Sequence, residues 1–168
     1  DANSYLKSIL GGFKKIQNTY YVTGHEMIDT IMNYFFGMLP KDTEIVLKGR
    51  CAVNINMEDA DICTIFSNLF QNAVEEITEN HICNAKIIVE VHKGEQYINY
   101  IVRNSIHAQF DNNDINKNGL PKSHKSDAKS HGIGMINAKS AIEKYNGRFV
   151  WIQKEDYFSV NVVLPLKK

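Results

Sequence analysis

The chain has 168 residues, 43% of them hydrophobic and 23% charged, with 19 Lys plus Arg balanced by 19 Asp plus Glu. That length suits one domain with a real core, and the composition excludes a largely disordered chain. Zero formal net charge gives no argument for bulk nucleic-acid binding, and no apolar run reaches the roughly 20 residues of a membrane span.

Cys51, Cys63 and Cys83 are odd in number and dispersed. They fit neither a disulfide framework nor a zinc site, and read as small buried hydrophobes in a reducing compartment. In chain order, Leu6, Ile9, Leu10, Phe13 and Ile16 recur at helical spacing over residues 4–18, although Gly11 and Gly12 weaken that helix. A second helix is predicted from Glu26 to Leu39, closed by Pro40, with Thr23 and Glu26 at capping-box spacing. Glu44 to Asn56 reads as one or two short strands. A long helix follows from about Met57 to Thr78. Residues 85–92 and 96–104 read as paired strands turning at Lys93–Glu95.

Residues 106–130 lack a clear period, and an irregular stretch of that length inside a domain is functional or mobile. A further helix opens at Ser130 or His131 and ends near Tyr145, before Asn146–Gly147. Residues 148–154 and 157–164 form a closing hairpin turning at Glu155–Asp156. Strands joined by hairpins, interleaved with helices, predict an α/β (α+β) two-layer sandwich: a mixed, mostly antiparallel sheet with helices on one face, plus the N-terminal helix.

Two segments carry candidate chemistry. In the long helix, Ile62, Ile65, Phe66, Leu69, Phe70, Ala73 and Ile77 share one broad face, with Asn68, Asn72, Glu75 and Glu79 on a narrow stripe beside it. Asn is a mediocre helix former. Two amide oxygens four residues apart can serve a hard cation together with phosphate oxygens, although a solvated helix edge has the same pattern. Ser130–His131–Gly132–Ile133–Gly134–Met135 then opens a helix after the irregular stretch. Glycines there let backbone N–H groups approach an anion at a helix N-terminus, and a plain turn would use them too. Lys122, Lys125 and Lys129 lie just upstream. They could neutralise a polyphosphate or simply form a solvated loop.

Taken together, the segments are more specific. Asn68–Leu69–Phe70–Gln71–Asn72–Ala73–Val74–Glu75 is similar to the N box of GHKL ATPase domains, in the N-L-L-x-N-A-I-E version of AgrC-like, peptide-sensing histidine kinases. His131–Gly132–Ile133–Gly134–Met135 resembles the second glycine box. Thr23–Gly24–His25, the run Ile28–Asp29–Thr30–Ile31–Met32–Asn33, and Lys125 with Asp127 resemble the same subgroup. The resemblance covers about residues 20 to 165.

It implies the Bergerat (GHKL) fold over 21–168, with residues 1–20 as the tail of a dimerisation helix and a lid at about 106–130. It implies ATP and Mg²⁺ as ligands, with Asn72 on the metal, Asn68 beside the phosphates and Lys125 reaching a phosphate. His131, Gly132, Ile133, Gly134 and Met135 would wrap the triphosphate, and Glu75 is a candidate catalytic group. The common version of the family carries D-x-G-x-G at the strand end, where this chain has Arg103–Asn104–Ser105. Period two puts Asn104 on the face of Ile98, Tyr100 and Val102, so Asn104 is the candidate adenine partner, unless it only caps the strand.

None of the histidines His25, His81, His92, His107, His124 and His131 sits in a phosphoacceptor-like segment. The chain therefore reads as a fragment that acts on a histidine elsewhere. The implied partners are its own dimerisation and phosphoacceptor domain, within a homodimer, and a response regulator. The domain would be cytoplasmic, tied to the membrane only by a sensor region outside this chain. The alternatives are a non-kinase GHKL protein (an ATPase or a serine kinase) and a degenerate domain serving only as a binding module.

Overall fold

A computed structural model describes residues 20–108, 115–117, 119–121 and 131–167, the side chains of His131 and Gly132 excepted. The predicted helix 4–18, Lys125 and most of the predicted lid lie outside the described residues. Among the described residues, eight elements run in the order α1 (Glu26–Phe36), β1 (Glu44–Lys48), α2 (Asp59–Glu79), β2 (Lys86–Lys93), β3 (Tyr97–Ser105), α3 (His131–Lys144), β4 (Arg148–Gln153) and β5 (Tyr157–Pro165). The strands form one sheet in the order β1-β2-β3-β5-β4. Only β1 and β2 pair in parallel, joined through the α2 crossover that a parallel pair requires. The other three pairings are antiparallel. The α/β architecture is the predicted one.

The core sits between one sheet face and the helices. Along β3, Ile98, Tyr100, Val102 and Asn104 are buried while the alternate residues are partly open, so the pleat turns every second side chain toward the helices. From α2, Ile62, Ile65, Phe66, Leu69, Phe70, Ala73 and Ile77 meet that face. Phe66 packs edge-on against Tyr100 with ring centroids 4.9 Å apart, and Phe70 meets Phe36 of α1 at 5.3 Å. Removing either buried ring costs about 3–5 kcal/mol. Cys63 is buried as expected, but Cys83 is exposed, because it lies in the 81–84 turn where His81 and Asn84 take positive φ.

Several sequence expectations shift. Helix α1 stops at Phe36, and Thr23 does not cap it: the cap position is His25, without a side-chain cap bond. Thr23 is fully buried and donates from its backbone N and Oγ1 to Asp29 Oδ1, both at 2.6 Å. Asn33 grips the backbone of Tyr21 through both amide atoms, at 2.8 and 2.7 Å. Asp29 and Asn33 therefore fasten residues 21–24 onto α1. Gly24 makes this possible, with φ +106° and a position where a Cβ would strike the Cys51 backbone. The stretch 44–56 yields only β1 and an isolated bridge from Ile55 to Leu166. Among the described residues, no helix is long and apolar enough to cross a membrane.

Candidate functional site

The asparagine stripe and the glycine segment come together in space. α2 and α3 pack against each other, and α3 opens at His131. A methyl group on Gly134 would collide with Asn68 Oδ1, the end of that side chain. Glycine there lets the first turn of α3, whose N–H groups lack intrahelical acceptors, close onto the stripe. Asn68 is half-buried, and its Nδ2 donates to the Thr64 carbonyl at 2.7 Å. That bond turns Oδ1 toward α3.

Asn72 follows one turn later, also half-buried, and makes no side-chain hydrogen bond among the described residues. A half-buried amide with open donors and acceptors, one turn from the Asn68 that meets the start of α3, suits a ligand. Glu75 continues the stripe and accepts from Gln71 Nε2 at 2.6 Å. Glu79 is exposed at the helix end. Among the described residues, no group of three or more His, Cys, Asp or Glu could hold a metal ion. A cation at the stripe would therefore need amide and substrate oxygens.

Asn104 occupies the inner end of β3, only 3% exposed. Its Nδ2 donates to the Ser105 carbonyl at 2.9 Å, leaving Oδ1 without a partner among the described residues. Arg103 points to the opposite sheet face, with its guanidinium 4.8 Å from the Tyr157 ring centroid. Asn104 pairs across the ladder with Phe158, whose ring stacks on Trp151 at 5.8 Å. Ile133 is 51% exposed, whereas Met135 packs against the core. His131 and Gly132 form the start of α3.

Three features have no sequence signature. Glu76 Oε1 accepts from the His107 backbone N–H at 3.0 Å, tying α2 to the chain just beyond β3. Residues 115–117 and 119–121, expected to be irregular, are joined by an Ile115–Pro121 bridge and a hydrogen bond from the Gly119 backbone N–H to the Asn116 carbonyl. Leu120 is buried here, and the Gly119 carbonyl receives a 2.8 Å hydrogen bond from Trp151 Nε1. Asp61, Lys144 and Tyr145 form a cluster at the far ends of α2 and α3. Hydrogen bonds from Lys144, at 2.8 Å, and Tyr145, at 2.7 Å, hold the Asp61 carboxyl below its ordinary range, and Asp61 in turn raises the Lys144 ammonium. No local spacing marks this cluster: Asp61 lies 83 and 84 positions before Lys144 and Tyr145.

The chain and its fold resemble known proteins. The family model described as "GHKL domain" matches residues 57–165. No curated protein matches the sequence significantly. Among solved structures, a nucleotide-free form of the catalytic domain of histidine kinase ThkA is 18% identical, with a TM-score of 0.68 over 85% of this chain and 94% of that one. A second nucleotide-free form is 19% identical with a TM-score of 0.67, over 84% of this chain and 91% of that one. The mycobacterial sensor histidine kinase MprB is 14% identical with a TM-score of 0.62, covering 84% of this chain and 95% of that one. At those identities the likeness concerns the fold.

Proposed function

The chain belongs to the GHKL domain family, and from that premise we propose that it is the ATP-binding catalytic domain of an AgrC-like sensor histidine kinase. GHKL domains in general bind ATP, and the fold is that of histidine kinase catalytic domains. The observation that carries the reading is the closure of Gly134 onto Asn68, with the open Asn72 amide one turn away. This sets an anion-attracting helix N-terminus against the Asn68 amide oxygen, with Asn72 one turn further along α2.

In this reading Asn104 Oδ1 accepts a hydrogen bond from the adenine amino group, and Nδ2 leaves Ser105 to serve a ring nitrogen. Backbone N–H groups of Gly132, Ile133 and Gly134 hold phosphate oxygens, with Asn68 alongside. Lys125 reaches the same phosphates, and Asn72 is the protein ligand of Mg²⁺. The residues fit that ion, because Mg²⁺ keeps waters and phosphate oxygens and asks little of the protein. When bound, Mg²⁺ would spread the negative charge of the phosphates.

The γ-phosphoryl group passes to a histidine nitrogen on the dimerisation domain of the same protein. Phosphoryl transfer demands mainly positioning and charge stabilisation; Glu75, rather than the exposed Glu79 at the helix end, is the candidate for polarising a group near the metal. A homodimer, a response regulator and a membrane-bound sensor region complete the proposal.

Calorimetry of Mg²⁺-dependent ATP binding to the wild type and Asn72→Ala tests it. Binding that requires Mg²⁺ and weakens about tenfold in the variant, ~1.4 kcal/mol, is the expected result. A folded wild type that ignores millimolar ATP would point instead to a degenerate binding module.

A further inference from the structure

The helix pair that carries the candidate site is fastened at its other end. Tyr145, just past α3, donates its hydroxyl to Asp61 Oδ2 at 2.7 Å and accepts from the Glu58 backbone N–H at 3.2 Å. Lys144 reaches the same Oδ2 at 2.8 Å. Asp61 lies in the first turn of α2 and Lys144 in the last turn of α3. The cluster therefore joins a positive dipole end to a negative one.

From this fastening the helices run side by side toward the site. Asn68 lies about two turns along α2, ~10 Å away, and Gly134 about three turns back along α3, ~16 Å away. Between them Ala138, Ala141 and Ile142 are buried. The driving force for burying those side chains is not directional, whereas a hydrogen bond adds a geometric constraint. The Lys144 ion pair is exposed and screened by salt. Tyr145 is half-buried, and its hydroxyl touches both the carboxylate and the backbone of the α2 start.

We propose that Tyr145 and Asp61 are positioning residues: their hydrogen bond sets the register of α3 against α2 and so holds Gly134 on Asn68, in phosphate-binding geometry. The functional half rests on the ATP reading above; the structural half does not.

The test uses this chain and the variants Tyr145→Phe, Asp61→Ala and Asp61→Asn, the last keeping an oxygen acceptor for Tyr145. ATP and adenosine affinities are measured at a temperature where each protein is fully folded, with amide hydrogen exchange on the ligand-free forms. In Tyr145→Phe and Asp61→Ala, ATP affinity is expected to fall at least about fivefold while adenosine affinity stays within about twofold. Exchange over residues 133–138 should accelerate while β3 is unchanged, and Asp61→Asn should stay close to wild type. A role in stability alone would leave the affinities of the folded proteins unchanged, and that outcome overturns the proposal, as does equal weakening of ATP and adenosine. Should the wild type bind no ATP, the functional reading fails by itself. The exchange data then decide the clamp, and unaltered exchange in Tyr145→Phe refutes it.

Discussion

Gly134 and Asn68 are separated by so little that the smallest side chain at position 134 would displace the amide oxygen of residue 68. They are 66 positions apart in sequence, and their contact is what turns two polar motifs into one candidate site.

Gly134→Ala should therefore separate stability from binding. Alanine is better than glycine in a helix by about 1 kcal/mol, and the atom in its way is the tip of a side chain that can swing aside. The melting temperature should hold or rise, while ATP affinity falls about tenfold, ~1.4 kcal/mol. Thermal unfolding and calorimetry on the same preparation check both halves. Undiminished affinity would show that Asn68 need not stay where Gly134 lets it lie.

Asp29 should behave as a structural residue in spite of its place in a family-like motif. It is 5% exposed and accepts from the backbone N and Oγ1 of Thr23 and from the Gly24 N–H at 3.3 Å. Asp29→Ala strands these donors and should cost roughly 3 kcal/mol, with Asp29→Asn costing less than half of that. Urea unfolding measures both. A loss below about 0.5 kcal/mol for the alanine variant would mean that the 21–24 segment is held by other contacts.

Trp151 is the single tryptophan, and its indole N–H holds the Gly119 carbonyl. Trp151→Phe retains a ring to stack on Phe158 but loses that bond. Amide exchange at Leu120 should accelerate, and global stability should fall by only about 1 kcal/mol. Protection of Leu120 unchanged in the variant would show that the turn is held by burial alone.

His25 and Asp61, together with Glu90, which is also held below its ordinary 4.5, make stability depend on pH. Burial holds the half-buried His25 below its ordinary 6.5, against the pull of nearby Asp29, Asp59 and Glu26, and its Nδ1 lacks a hydrogen-bond partner. The unfolded chain takes up that proton first, so the His25 contribution is complete above pH 6.5 and is lost as pH falls through the lower folded value. Asp61 is likewise depressed from 3.8, and its contribution is present above that pH and lost below it. Urea unfolding between pH 8 and 3 should show both declines, and His25→Gln should remove only the upper one. A variant that keeps the upper decline would assign it to another group.

Much of the framework was legible in the chain itself because it depends on local periodicity. The apolar face of α2 and the alternation in β3 follow from spacings of 3.6 and 2 residues, and the latter puts Asn104 inward and Arg103 outward. Thr23 misled because a capping pattern describes only neighbours, whereas Thr23 is fully buried and bonded to Asp29, six residues on.

Among the described residues, local periodicity sets the helices and strands, the sheet face that carries the core and the polar stripe on α2, since each is an alternation of side chains along a regular backbone. Packing in three dimensions brings Gly134 to Asn68, Glu76 to the His107 backbone and Tyr145 to Asp61. These contacts join residues 31 to 84 positions apart, and their geometry is set by how helices pack on one another and on the sheet, which no local spacing encodes.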